Sequence, residues 1–220
     1  MSEYQYYEFL AIDEALDARQ MRELRTLSTR ARITPTGFVN TYHWGDFKGD
    51  PSVLMERYFD AFLYLANWGT RLIMIRLPSS LLDLETAGRY CRGDAACAWQ
   101  AGDKIVVGLT REGADDYWDE DDGTSLGLIV PARAELAAGD RRLLYLAWLL
   151  SVGAGEVADD DVEPPVPAGL KRARARHCGR FPSSFTSTAT FWRPRRRQAS
   201  RSGPSNRPPR SSAVGSPICR

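Results

Sequence analysis

Along this chain the apolar positions first alternate and then cycle, and the change of period marks out its elements. Residues 4–12 alternate, with Tyr4, Tyr6 and Glu8 on one face and Tyr7, Phe9 and Ala11 on the other, which predicts a strand. Asp17 can cap a helix running to about residue 29, striped by Met21, Leu24 and Leu27. Pro35 ends that region, and residues 38–44 alternate again as a second strand. The loop Gly45-Asp46-Phe47-Lys48-Gly49-Asp50-Pro51 closes with Asp50 as N-cap and Pro51 at the first helical position. A helix is then predicted from Pro51 to about Asn67 on Leu54, Met55, Phe59, Phe62, Leu63 and Ala66, with Gly69 as its stop. Residues 71–77 are apolar on both faces and predict a central strand. A short helix within 81–91, a strand at 104–109, a strand or strand end at 126–130, and helices at 132–138 and 140–152 complete the pattern.

The order β-α-β-α-β, then a strand, then helices predicts an α+β fold: a small mixed β-sheet with helices on one face, followed by C-terminal helices. The globular domain is placed at residues 3–157 and an acidic, proline-bearing linker at 158–170. Residues 171–220 form a basic tail. No stretch reaches the roughly 18 apolar residues of a membrane span. The N-terminal residues show neither the basic nor the apolar part of a secretory leader. Four Cys make no disulfide framework, and a cytoplasmic bacterial protein is expected.

Charge divides the chain at Lys171. The tail has 13 Lys or Arg and no acidic residue, whereas residues 1–170 hold 16 basic and 28 acidic residues, a net charge of −12. A segment this charged and this poor in apolar residues is expected to be disordered. The genetic code offers a second reading, because GC-rich genes translated out of frame yield this Arg/Ser/Pro/Ala/Gly mixture. Joining the third base of each codon to the first two bases of the next turns His177-Cys178 and Phe191-Trp192 into Leu. The same step turns Arg180-Phe181, Ser184-Phe185 and Thr190-Phe191 into Phe, Leu, Ile or Val, and Trp192-Arg193 into Ala or Glu. The first three apolar codons fall on one helical face, and Phe185-Thr186, Ser187-Thr188 and Ala189-Thr190 give Tyr, His, Asn or Asp, which suit a turn and a cap. The shifted frame thus spells helix, polar turn, helix. The tail as it stands has no period.

The pattern Tyr6-Tyr7-Glu8-Phe9, Arg32-Ile33-Thr34-Pro35-Thr36, Trp44-Gly45-Asp46-Phe47-Lys48-Gly49-Asp50-Pro51 and Leu65-Ala66-Asn67-Trp68-Gly69 resembles a set of uncharacterised bacterial proteins. The resemblance covers about residues 4–170, and it implies a Leu/Ala/Asp-rich helical segment where the basic tail stands. It implies no activity and no site residues.

His43 and Asp46, with Arg76, are the candidate catalytic residues, since a strand-end His near a carboxylate can act as base or ligand. A local hydrogen bond for His43 and a turn role for Asp46 compete with that reading. The glycine-bearing loop before Pro51 could hold an anion on helix N–H groups, but Asp46 and Asp50 would repel phosphate. Asp119, Asp121 and Asp122, within an acidic loop, are the candidate metal ligands, although their spacing is not that of an EF-hand. Arg30, Arg32, Arg71 and Arg76 with Trp44, Trp68 and Trp99 could stack single-stranded RNA, and the acidic charge of the body opposes it. Cys91 and Cys97 read as buried small groups. No cofactor is expected. The expected function is that of a non-catalytic interaction or regulatory protein with a basic protein partner. The alternatives are a small enzyme or ligand-binding protein using His43–Asp50, and nucleic-acid binding through the tail.

Overall fold

The computed structural model describes residues 4–113, 126–158, 160–168 and 170. Strand β1 (Gln5–Leu10) buries alternate residues, as its sequence requires. Helix α1 (Ala18–Leu27) opens on a capping box: Gln20 N–H donates to Asp17 Oδ1 at 2.7 Å and Asp17 N–H to Gln20 Oε1 at 2.8 Å. Strands β2 (Arg32–Thr34) and β3 (Gly37–Tyr42) form a hairpin around Pro35 and Thr36. Gly37 is required there, because a Cβ would sit 2.9 Å from the Phe9 carbonyl oxygen of the neighbouring strand.

Helix α2 (Pro51–Arg57) is capped by Asp50 as expected, but it does not continue to Asn67. The chain turns at Tyr58–Asp60 and enters strand β4 (Ala61–Ala66), which is buried at all six positions. The correction has a plain cause: Phe62, Leu63 and Ala66 fit a helical stripe, yet the same run is apolar on both faces of a strand, and periodicity cannot separate the two. Strand β5 (Arg71–Pro78), helix α3 (Leu84–Gly88), strand β6 (Ala96–Ala101) and strand β7 (Lys104–Arg111) follow. Strands β6 and β7 join through Gly102-Asp103, with Gly102 at a φ of 62°, a two-residue hairpin whose turn signal the sequence does carry. Residues 126–128 form a 3-10 turn and not a strand. Helices α4 (Val130–Ala137) and α5 (Arg142–Ala154) end the fold, and Gly155 closes α5 in the left-handed conformation.

Among the described residues seven strands make one sheet, in the order β2-β3-β1-β4-β5-β7-β6. The α+β class holds, with every pairing antiparallel where a mixed sheet was expected. Helices also cover both faces and not one. On one face Tyr7, Phe9, Phe38, Phe62 and Tyr64 pack under Leu24 of α1 and Leu54 and Met55 of α2. On the other, Ala61, Leu63, Leu65 and Ile73 meet Leu126 and Ile129 of the segment leading into α4. Helix α5 lies against β6 and β7. Glu8 faces this second layer: it accepts from the Leu126 N–H at 2.8 Å and from the Tyr6 hydroxyl at 3.1 Å. Burial and the nearby Glu8 carboxylate push the Tyr6 phenol up to about 12. Described residues as far as Pro165 belong to one compact unit. Residues placed in a linker by sequence still touch it, through Tyr145 to Glu163 and Tyr90 to the Pro165 carbonyl. Among the described residues no helix is long and apolar enough to cross a membrane.

The rings of Phe9 and Phe62 stack with centroids 4.2 Å apart at the centre of the first layer. Phe62→Ala is expected to destabilise the protein by about 3–5 kcal/mol, the usual cost of removing a buried aromatic ring from a packed core. Urea denaturation followed by circular dichroism measures it, and a loss below about 1 kcal/mol would contradict the central placement of β4.

Candidate functional site

Three segments meet at the end of the sheet where β1 starts and β3 and β4 finish. Gln5 pairs with Tyr42 on one side and Ala66 on the other, so His43 and Asn67 flank Tyr4. The Tyr4 and His43 rings meet edge to face, 5.4 Å between centroids. The His43 and Trp44 rings are 6.5 Å apart. The Arg30 guanidinium lies 5.9 Å from the Trp44 ring centre, within cation–π range. Trp44 is 70% exposed and Trp68, in the β4–β5 turn, is 43% exposed. The outcome is an aromatic rim with an arginine on it.

Beneath this rim is a polar cluster that the sequence reading did not find. Gln5 is 1% exposed. Its Oε1 accepts from the Tyr7 hydroxyl at 2.8 Å and the Tyr64 hydroxyl at 3.2 Å. Its Nε2 donates to the Gly45 carbonyl and to Asp46 Oδ1, each at 3.2 Å. A buried amide can make about four hydrogen bonds, and this one makes them all. Burial, then the neighbouring Tyr64, lifts the Tyr7 phenol far above its ordinary value, and burial likewise raises Tyr64. Both phenols stay protonated and act as donors. Asp46 therefore pins the loop to Gln5. The one clue in the sequence was a glutamine in the face that also carries Tyr7 and Phe9.

Arg76 lies at the opposite end. Leu10 pairs with Ala61, and Ala61 with Ile75, which places Asp60 and Arg76 at the far end of β1. The six residues of β1 separate the two ends by roughly 17–20 Å. His43 and Asp46 share a loop, and Arg76 does not join them. Instead Arg76 Nε and Nη2 grip Asp60 Oδ1 at 3.1 and 2.8 Å. Asp60 Oδ2 accepts from the backbone N–H groups of Ile12 at 2.7 Å and Asp13 at 2.9 Å. Arg133 of α4 completes the cluster, donating to the Arg76 carbonyl at 2.9 Å and to Asp13 Oδ2 at 2.6 Å. Burial opposes ionisation of Asp60, but the N–H groups of Asp13 and Ile12 and the Arg76 guanidinium outweigh it and hold the carboxyl below its ordinary 3.8. An isolated Asp at the mouth of the apolar run 59–66 was the available signal.

The remaining candidates disperse. The Ser52 and Val53 N–H groups, which an anion would need, are taken by Asp50 Oδ1 at 2.8 and 3.4 Å. Trp99 donates to Glu56 Oε1 at 2.9 Å. Cys91 and Cys97 are buried and not joined in a disulfide. Asp119, Asp121 and Asp122 lie outside the described residues. No family model, no curated protein and no solved structure matches the chain.

Asp60→Asn leaves the largely buried Arg76 guanidinium without its carboxylate, while Arg133 keeps Asp13, and is expected to cost about 3–5 kcal/mol at neutral pH. A carboxyl lowered by folding contributes stability that is whole above its ordinary value and is lost as pH falls below it. Wild-type stability should therefore drop between about pH 5 and pH 2, and the Asn variant should lose less over that window. Urea titrations across the range test both, and parallel pH curves for the two proteins would remove Asp60 from this role.

Proposed function

We infer that the protein is a non-catalytic interaction protein that presents its aromatic rim to a basic segment of a protein partner. The carrying observation is Trp44, 70% exposed at the rim and flanked by His43 and Arg30. Exposed Trp, Tyr and Arg are the residue types that anchor protein interfaces. The net charge of −12 over residues 1–170 supplies attraction for a basic partner, and indole faces accept Arg or Lys cations. A cytoplasmic setting belongs to the same reading and rests on four Cys that make no disulfide framework.

The buried polar chemistry supports binding over catalysis. Tyr7, Tyr64, Asp46, Asp60 and Arg76 are all engaged in bonds that hold the fold. An enzyme or ligand site built on His43, Asp46 and Arg76 would have to bridge the length of β1. The tail that a nucleic-acid reading requires lies outside the described residues.

Calorimetric titration with a ten-residue Arg/Lys peptide tests the reading. Trp44→Ala together with Trp68→Ala should weaken binding at least about 5-fold, the scale of a lost cation–π contact, and shift Tm by no more than about 2 °C. Binding should also weaken as salt rises. Unchanged affinity in the double variant, or equal affinity for a Glu-rich peptide, would remove the rim as the docking surface.

A further inference from the structure

Helix α5 has an apolar stripe that the described residues leave in water. Its core side is Leu144, Tyr145, Ala147, Trp148 and Ser151, all buried. Leu146 and Leu149 are 51% and 46% exposed. At about 100° per residue, Leu146, Leu149, Leu150 and Gly153 share an arc of roughly 100°, the width of a helix face made for packing. Apart from the adjoining residues and the backbone of its own helix, nothing lies within 4 Å of where a Gly153 Cβ would sit, so another backbone has room to approach there. Exposed apolar area of this kind marks a surface built to be covered.

The chain passes this helix on its way out. The Tyr145 hydroxyl donates to Glu163 Oε1 at 2.5 Å, so the segment after α5 folds back alongside it before residue 171. The basic tail that comes next offers no apolar face. Its codons do so in another frame. Read one base earlier, they give Leu at His177-Cys178 and Phe, Leu, Ile or Val at Arg180-Phe181 and Ser184-Phe185, at helical positions 0, 3 and 7. A polar turn and a second apolar group follow at Thr190-Phe191 and Phe191-Trp192. One base added near codon 170 enters that frame.

We propose that the Leu146–Leu149 stripe of α5 is the docking face of an apolar C-terminal helix encoded in the shifted frame of codons 171–220, and that the basic tail stands where this helix belongs. Exposed leucines, a returning chain and a period-matched hidden frame are three separate observations with one occupant in common. This inference is independent of the rim, which lies on β1, β3 and β4.

The test expresses the chain as it stands and a second gene with one base inserted at codon 170, each with and without Leu146→Glu plus Leu149→Glu. The inserted-base protein should melt at least about 5 °C higher and bind less of the dye ANS. The Glu pair should lower its Tm by about 5 °C or more, and should move that of the basic-tailed chain by under about 2 °C, because there the leucines already meet water. Equal melting of the two chains, a neutral Glu pair in both, or failure of the inserted-base protein to fold overturns the proposal. So does self-association in sedimentation that both chains share and the Glu pair abolishes, which would make the stripe a face between copies. Resequencing codons 165–176 is the companion measurement, and an unbroken frame shared with a relative that carries the same basic tail also overturns it.

Discussion

A single buried carboxylate holds together segments far apart in the chain. Asp60 is 1% exposed at the entry to β4, where an unpaired charge would cost several kcal/mol. It is tolerated because Ile12, Asp13 and Arg76 donate to it and Arg133 closes the cluster through Asp13 and the Arg76 carbonyl. Its own backbone joins in: Asp60 N–H donates to the Leu10 carbonyl at 2.8 Å, and Arg76 N–H to the Asp60 carbonyl at 2.8 Å. The exit of β1, the entry of β4, the end of β5 and one face of α4 are thereby fixed to a common point. Register in the central strands follows from that point, since a one-residue slip would move the carboxylate away from its four donors and turn every core side chain outward.

The other end of β1 repeats the arrangement without an ion pair. Gln5 satisfies Tyr7, Tyr64, Asp46 and Gly45, so the aromatic layer ends in a saturated amide. Polar groups that would be catalytic candidates from composition alone are used here to specify the fold. Exposed on the surface are the indoles of Trp44 and Trp68, His43 with Tyr4 against it, and two leucines of α5. The proposed partner contacts draw on these exposed apolar and aromatic groups.

Much of the architecture was legible along the chain because the signals were local. Asp17 and Asp50 cap the helices they were expected to cap, and β1, β3, β5 and β7 alternate or run apolar as strands do. The failures were of two kinds. In β4 the side chains fit both periods, and the strand wins because it finds β1 and β5 on either side, a fact that no window of sequence contains. Strand β6 leaves little signal of its own, because Ala96-Cys97-Ala98 is small and unpatterned, although the Gly102-Asp103 turn marks the hairpin. Arg76 lies apart from His43 and Asp46 for the same non-local reason: 30 positions beyond Asp46, it is paired at the far end of the sheet.

The sequence by itself determined the α+β class, the helix starts, the acidic character of the body and the break at Lys171, since capping, alternation and charge are properties of neighbours in the chain. Only the tertiary structure decided that residues 61–66 are a central strand, that the sheet is covered on both faces, that Asp60, Arg76 and Arg133 form one cluster, and which leucines of α5 meet water. These depend on which distant segments come to lie side by side, and that is set by burial and pairing summed over the whole domain.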